Sequence, residues 1–193
     1  MPDFDPHSSW QALYNKADST DNPLHKTLLT EVGNHMQAEI KGQLAPLMDT
    51  LHTQPIYHFW RVREENMILS GFEAVSGFYS QMFDAGGNQF QVISNRIFVD
   101  DTGVITEGKV RQVYKGSDLA AMGVTTAAGQ AIDRHELWLS NTQLITVWPH
   151  APAPDDAPER GPKLLGEDIY FGENPMDTLQ PFHRDGLPDY YQL

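Results

Sequence analysis

The chain has 193 residues, enough for one sizeable core, and carries 26 Asp and Glu against 13 Lys and Arg, a formal charge of −13. That balance argues against nucleic-acid binding and against anionic membrane surfaces, since both need a basic footprint. With no cysteine, disulfides, thiolate metal sites and Cys nucleophiles are excluded. The opening residues, MPDFDPHSSW, lack a basic start followed by an apolar run, and no apolar stretch approaches bilayer length. The expectation is a soluble cytoplasmic protein with one domain and two tails.

Residues 1–22 read as a polar arm with Trp10, Leu13 and Tyr14 as anchors. Asn22 can then cap a helix with Pro23 in its first turn. Leu28, Leu29, Val32, Met36, Ile40, Leu44, Leu47, Met48 and Leu51 recur at helical spacing, and Gly42 and Pro46 split the segment in two. PIYHFW, residues 55–60, reads as a strand: short, aromatic and opened by proline. Its alternation puts Tyr57, Phe59 and Arg61 on one face and His58 and Trp60 on the other. RVREENMILS reads as a charged loop. A third helix carries Phe72, Val75, Phe78, Tyr79, Met82 and Phe83 on one stripe and stops at Gly86 and Gly87.

From there the chain turns β-rich. NQFQVISNRIFVDD and VITEGKVRQVYKG flank a TG turn and predict an antiparallel hairpin. SDLAAMGVTTAAGQ reads as a loop or short helix. IDRHELWLSNTQLITVWPH predicts two strands around Ser140–Asn141. APAPDDAPERGPK reads as a loop, LLGEDIYFGE as a last strand, and 174–193 as an aromatic tail. Helices first and strands later make the class α+β, with helices on one face of a mainly antiparallel sheet.

PIYHFW after a long helix, GFEAVSGFYSQMF leading into RIFVDDTGVITEG, and LLGEDIYFGE as the closing strand resemble the nuclear-transport-factor-2-like (NTF2-like) superfamily, in its SnoaL-like branch. The resemblance covers about residues 24–173, so the domain is expected over 23–173. It implies a curved sheet curled into a cone around the N-terminal helices, with an apolar cavity and a few ionisable groups. It also implies acid–base chemistry without a cofactor, and a homodimer. The fold by itself does not choose among isomerases, dehydratases, lyases, epoxide hydrolases and binding modules.

Candidate residues follow, each with a structural alternative. Glu167 shares a strand face with Leu165, Ile169 and Phe171, which suits an inward acid, or else an edge carboxylate paired with Arg or Lys. His58 is an acid–base candidate or a satisfied core histidine, and Arg61 an anion holder or a surface arginine. His135, placed with Leu137 and Leu139, is a second acid–base candidate or a satisfied structural histidine. Thr106, Gly108, Val110, Gln112 and Tyr114 form the stripe that the resemblance places inside the cone. Gln112 and Tyr114 are then donors, while Lys109 becomes available only if the register slips. Tyr57, Phe59, Trp60, Tyr79 and Trp138 are candidate substrate contacts, although Tyr79 and Trp138 also suit plain packing. No metal-ligand spacing, nucleophile elbow, dinucleotide fingerprint or P-loop is present.

The leading functional expectation is a cofactor-independent lyase on a small aromatic diol, by analogy with the diarylpropane lyases of the superfamily. These dehydrate lignin-derived diaryl propanediols and release formaldehyde to leave a stilbene. The alternatives are another proton-transfer enzyme or a non-enzymatic binding module.

Overall fold

The structure is a computed structural model and describes residues 4–62, 64–152 and 161–191. In chain order it contains α1 (Gln11–Asp18), α2 (Pro23–Ile40), α3 (Leu44–Asp49), β1 (Leu51–Trp60), β2 (Met67–Ser70), α4 (Phe72–Asp84), β3 (Phe90–Asp100) and β4 (Gly103–Lys115). Then follow α5 (Gly116–Ala121), β5 (Thr126–Ala127), β6 (Gln130–Ala131), β7 (Leu137–Ala151), β8 (Lys163–Phe171) and β9 (Gln180–Phe182). Most of the Pro- and Asp-rich segment expected as a loop, residues 153–160, lies outside the described residues.

Helix α2 starts where Asn22 Oδ1 accepts from the Leu24 and His25 N–H groups, with Pro23 at the first helical position. It ends ahead of Gly42, whose φ of +65° turns the chain toward α3. Pro46 lies inside α3, where its missing N–H falls on a first-turn group that has no helical partner anyway. Leu28, Leu29, Val32, Met36 and Ile40 of α2 are buried against Leu13 and Ala17 of α1 and against Trp148 and Leu164 of the sheet. Each such side chain contributes about 1.5–3 kcal/mol by leaving water.

The main sheet runs β2-β1-β8-β7-β4-β3, with β9 added on β7. Only β1 and β8 pair in parallel; the other neighbours are antiparallel. The hairpin of β3 and β4 matches the sequence expectation, with Asp100 paired to Gly103 across its turn. Two expectations are corrected. Met67–Ser70, read as part of a loop, is β2, an antiparallel edge strand on β1. No turn breaks the chain at Ser140–Asn141: β7 is one strand of 15 residues. Ser140 and Asn141 pair with Gln112 and Arg111 of β4, and the Asn141 N–H is taken on the other side by Thr178 Oγ1 at 3.0 Å. A polar pair that reads as a turn is here satisfied by neighbours distant in sequence.

Strand β8 changes phase. Leu164 and Glu167 are both buried, three residues apart, which regular alternation forbids. The shift falls at Gly166, where φ is +132° and the β1 pairing jumps from Leu51↔Leu164 to Ile56↔Gly166. Lys163, at the start of β8, pairs with Glu31 of α2 at 2.7 Å, with side chains 8% and 15% exposed. Removing one partner of so enclosed a pair costs about 3 kcal/mol, because the other charge stays behind.

The described part of the arm is helical, and Trp10, Leu13 and Ala17 join the main core. The two ends of the chain also meet. Phe4 is fully buried, packed edge-on against Phe182 and Tyr191, and its N–H donates to Gly186 O. The Tyr190 hydroxyl donates to Asp5 and its ring stacks on His7. Burial first, then Asp5, pushes the Tyr190 hydroxyl up to about 12, so it keeps its proton. No helix among the described residues is long and apolar enough to cross a membrane.

Candidate active site

The concave face of the sheet and helices α2 and α4 enclose a cavity of about 230 Å³. Its apolar wall includes Phe59, Phe78, Phe90, Trp148, Ile169 and Phe171. Strand alternation explains the wall: Thr106, Thr146, Ile169 and Phe59 lie side by side across β4, β7, β8 and β1, all turned inward. The Trp148 indole N–H is satisfied by Thr106 Oγ1 at 3.0 Å. The predicted inner stripe of β4 is also where expected, with Thr106, Val110, Gln112 and Tyr114 lining the cavity.

One group of polar side chains gathers in this wall. His35 of α2 is fully buried. Its Nδ1 lies 2.6 Å from Thr50 Oγ1, and that hydroxyl donates to Leu47 O at 2.6 Å. The hydroxyl proton is thus committed, so Nδ1 carries the ring hydrogen and Nε2 faces the cavity side. Nε2 lies 3.2 Å from the Tyr79 hydroxyl, 3.3 Å from the Tyr57 hydroxyl and 3.2 Å from Glu167 Oε1. Tyr79 donates to Glu167 Oε1 at 3.1 Å. Tyr57 can then donate to Nε2 while Tyr79 donates to Glu167.

Glu39, one turn beyond His35 on α2, also lines the cavity. No described residue donates a hydrogen bond to its carboxyl. Burial, then the charge of Glu167, holds it well above the usual carboxylate range. Burial and the Glu167 charge likewise hold the Tyr57 and Tyr79 hydroxyls well above theirs, so both remain donors. The wall therefore presents a carboxyl held well above the usual carboxylate range, a second carboxyl gripped by a tyrosine, and a histidine whose Nδ1 faces Thr50.

His35, Glu39 and Glu167 also form a group with three metal-capable donor atoms within 4.8 Å of one another. The His35 Nε2 already takes the Tyr57 hydroxyl and Glu167 Oε1 takes the Tyr79 hydroxyl, so we assign no metal ion to the group.

Of the sequence candidates, Glu167, Tyr79, Phe59, Gln112 and Tyr114 line the cavity, and Tyr57 joins them through its hydroxyl. The Tyr114 hydroxyl donates to Gln112 Oε1 at 2.9 Å. The others lie elsewhere. His58 and Trp60 point to the outer face of the sheet, where His58 Nδ1 sits 2.5 Å from Asp168 and the Trp60 ring stacks on Tyr170. Arg61 is exposed beyond the end of β1 and pairs with Glu64 at 2.8 Å. Lys109 takes the outward stripe of β4, because the register does not slip. His135 is not on a strand: its N–H donates to Asp133 Oδ1 in an exposed turn before β7. Trp138 is opposite Tyr114 on the inward face, but Leu119 of α5 and Leu179 pack over it.

His35 and Glu39 were missed. Their signal was present: they are four apart, and each adjoins Met36 and Ile40 on the apolar stripe of α2. A polar pair at that spacing on a buried stripe has to be satisfied inside.

No protein-family model matches the sequence, and no curated protein matches it in sequence. Solved structures do match in fold. An NTF2-like protein from Anabaena variabilis superposes with a TM-score of 0.51 at 12% identity, covering 82% of this chain and 97% of its own. The fold is NTF2-like. A protein described as a SnoaL-like polyketide cyclase, from Shewanella putrefaciens, gives a TM-score of 0.55 at 12% identity, covering 86% of this chain and 88% of its own. An epoxide hydrolase/cyclase-like enzyme with a role in pyran ring formation in the polyether salinomycin gives 0.51 at 8% identity, covering 81% and 97%. At identities this low the superpositions show the NTF2-like fold alone and leave the chemistry to the side chains.

Proposed function

We propose that this chain is an acid–base enzyme that eliminates water from a small, uncharged, hydroxylated aromatic molecule, with Glu39 as acid and Glu167 as base. The observation that carries this is the pairing of Glu39 with Glu167, donor atoms within 4.8 Å, in an aromatic cavity; burial and the Glu167 charge hold the Glu39 carboxyl well above its ordinary value, as an acid needs. A lignin-derived diaryl propanediol suits the pair. Glu39 gives its proton to the benzylic hydroxyl, which leaves as water while the phenol gives its own proton to solvent water, forming a quinone methide. Glu167 takes the proton of the terminal hydroxyl as the carbon–carbon bond breaks. Formaldehyde leaves, the bond electrons restore the aromatic ring, and the phenolate regains a proton. The proton now on Glu167 passes to Glu39, and the pair is reset. Among the described lining residues no Lys or Arg holds the phenolate, so Tyr114 and Gln112 are the candidate contacts for that end.

The assay is aerobic, with no added cofactor or metal, following stilbene absorbance and formaldehyde together. Joint stoichiometric appearance is expected in the parent chain and in His58→Ala, whose side chain is on the outer face. Absence of both products with the substrate bound would overturn the elimination. A second reading rests on the same pair. Glu39 donating to an epoxide oxygen while Glu167 deprotonates water would open the ring, in keeping with the epoxide hydrolase/cyclase-like structural neighbour.

The working unit we propose is a homodimer joined through the outer sheet face. Ile145, Tyr170 and Trp60 form a row across β7, β8 and β1, 42%, 42% and 39% exposed, with Ile105 and Phe98 in the next row. The charges beside them are paired, His58 with Asp168 and Arg96 with Glu107, so two copies of an acidic chain can meet there without strong repulsion. Light scattering is expected to give the dimer mass for the parent chain and the monomer mass for Ile145→Lys. A monomeric parent chain would remove the proposal.

A further inference from the structure

The cavity has a charge preference that the elimination does not use. Its described lining contains two glutamates and no lysine or arginine. Glu39 is half-buried at the cavity wall, within 4.8 Å of His35 and Glu167, and receives no hydrogen bond from any described residue. A carboxyl so placed, beside a second carboxyl, is stabilised by keeping a proton or by gaining a cationic partner. Phe59, Phe78, Phe90, Trp148 and Phe171 supply ring faces around the same space, and aromatic faces attract ammonium groups. The net charge of −13 also raises the local concentration of cations and lowers that of anions.

We infer that the cavity is a binding site for small arylalkyl ammonium ions, held by an ion pair with Glu39 and by the aromatic wall. A neutral amine that enters takes the Glu39 proton, and an ammonium that enters meets the ionised carboxyl; both routes end in the same ion pair. The cavity volume of about 230 Å³ is ample for a single ring on a short arm. Such amines would compete with any substrate for the site. The same features reject carboxylates of equal size. The inference stands on the cavity and its carboxyls and does not depend on which reaction occurs there.

Calorimetric titration of the full chain tests it with three isosteric probes: 2-phenylethylammonium, 2-phenylethanol and phenylacetate. The amine is expected to bind at least tenfold more tightly than the alcohol, and the carboxylate not to bind. In Glu39→Gln the amine is expected to lose roughly 30-fold in affinity, the size of effect seen when one member of a buried charged pair is removed, while the alcohol stays within about threefold. Equal or weaker binding of the amine than of the alcohol in the parent chain would overturn the inference, and so would an amine affinity unmoved in Glu39→Gln. Amine binding without turnover of any diol would end the elimination and leave this site standing. Turnover without amine binding would do the reverse.

Discussion

Glu39→Gln is expected to abolish turnover and to make the protein more stable. The loss is expected to be about a thousandfold in kcat, the middle of the range for a positioned acid or base, and Glu167→Gln should match it. The stability effect has the opposite sign. Glu39 holds its proton in the folded chain at pH values where the unfolded chain, with an ordinary value of 4.5, has released it. Stability from this group is therefore complete below about 4.5 and declines as pH rises toward the raised folded-state value. The amide carries no charge and has no such decline. Thermal unfolding across pH should show the two proteins alike in acid and the variant higher in mild alkali, by about 3 °C for each ~1 kcal/mol removed in a chain of this size. An acid that only supports the fold would lower stability when replaced. That outcome, or retained turnover, would remove Glu39 from the mechanism.

Gly166→Ala is expected to cost about 4–5 kcal/mol, among the largest effects of any single methyl group here. Two causes act together. The φ of +132° is a backbone conformation that L side chains rarely adopt. A Cβ built on Gly166 would also fall inside contact distance of the Ile56 carbonyl, which belongs to the neighbouring strand and cannot swing aside. The site depends on the same residue. Gly166 is where β8 changes phase, so it is what turns Glu167 toward His35 and Tyr79. Denaturant unfolding should show a large drop in midpoint. A fully stable, fully active Gly166→Ala protein would mean that Glu167 reaches its place without the phase change.

How far the sequence reveals the molecule depends on the range of the forces involved. The helical stripe of α2, its Asn22 cap and the β3–β4 hairpin are set by neighbours within a few residues, and they are readable as written. Strict alternation gives β4 its two stripes, and the resemblance puts the one with Gln112 and Tyr114 inside, where both line the cavity. Alternation leaves Glu167 open between an inward acid and an edge carboxylate; the phase break one residue earlier, at Gly166, is what turns it inward. The continuity of β7 was not readable, because Thr178 and β4 satisfy Ser140 and Asn141 from far along the chain. His35 and Glu39 escaped for a related reason. A polar residue on an apolar helix face reads as tolerated until the Thr50, Tyr57, Tyr79 and Glu167 groups that meet it are seen together. His58 shows the converse: its aromatic neighbours suggested a chamber wall, but its phase in β1 sends it to the outer face beside Asp168.

Infrared difference spectroscopy between the parent chain and Glu39→Gln at neutral pH would test the centre of this mechanism most directly. The expected spectrum has the carbonyl band of a protonated carboxyl in the parent chain, absent from the variant, and shifted when a ligand enters the cavity. A parent chain whose difference spectrum holds only ionised carboxylate bands would leave the cavity without its acid and contradict the assignment of roles to Glu39 and Glu167.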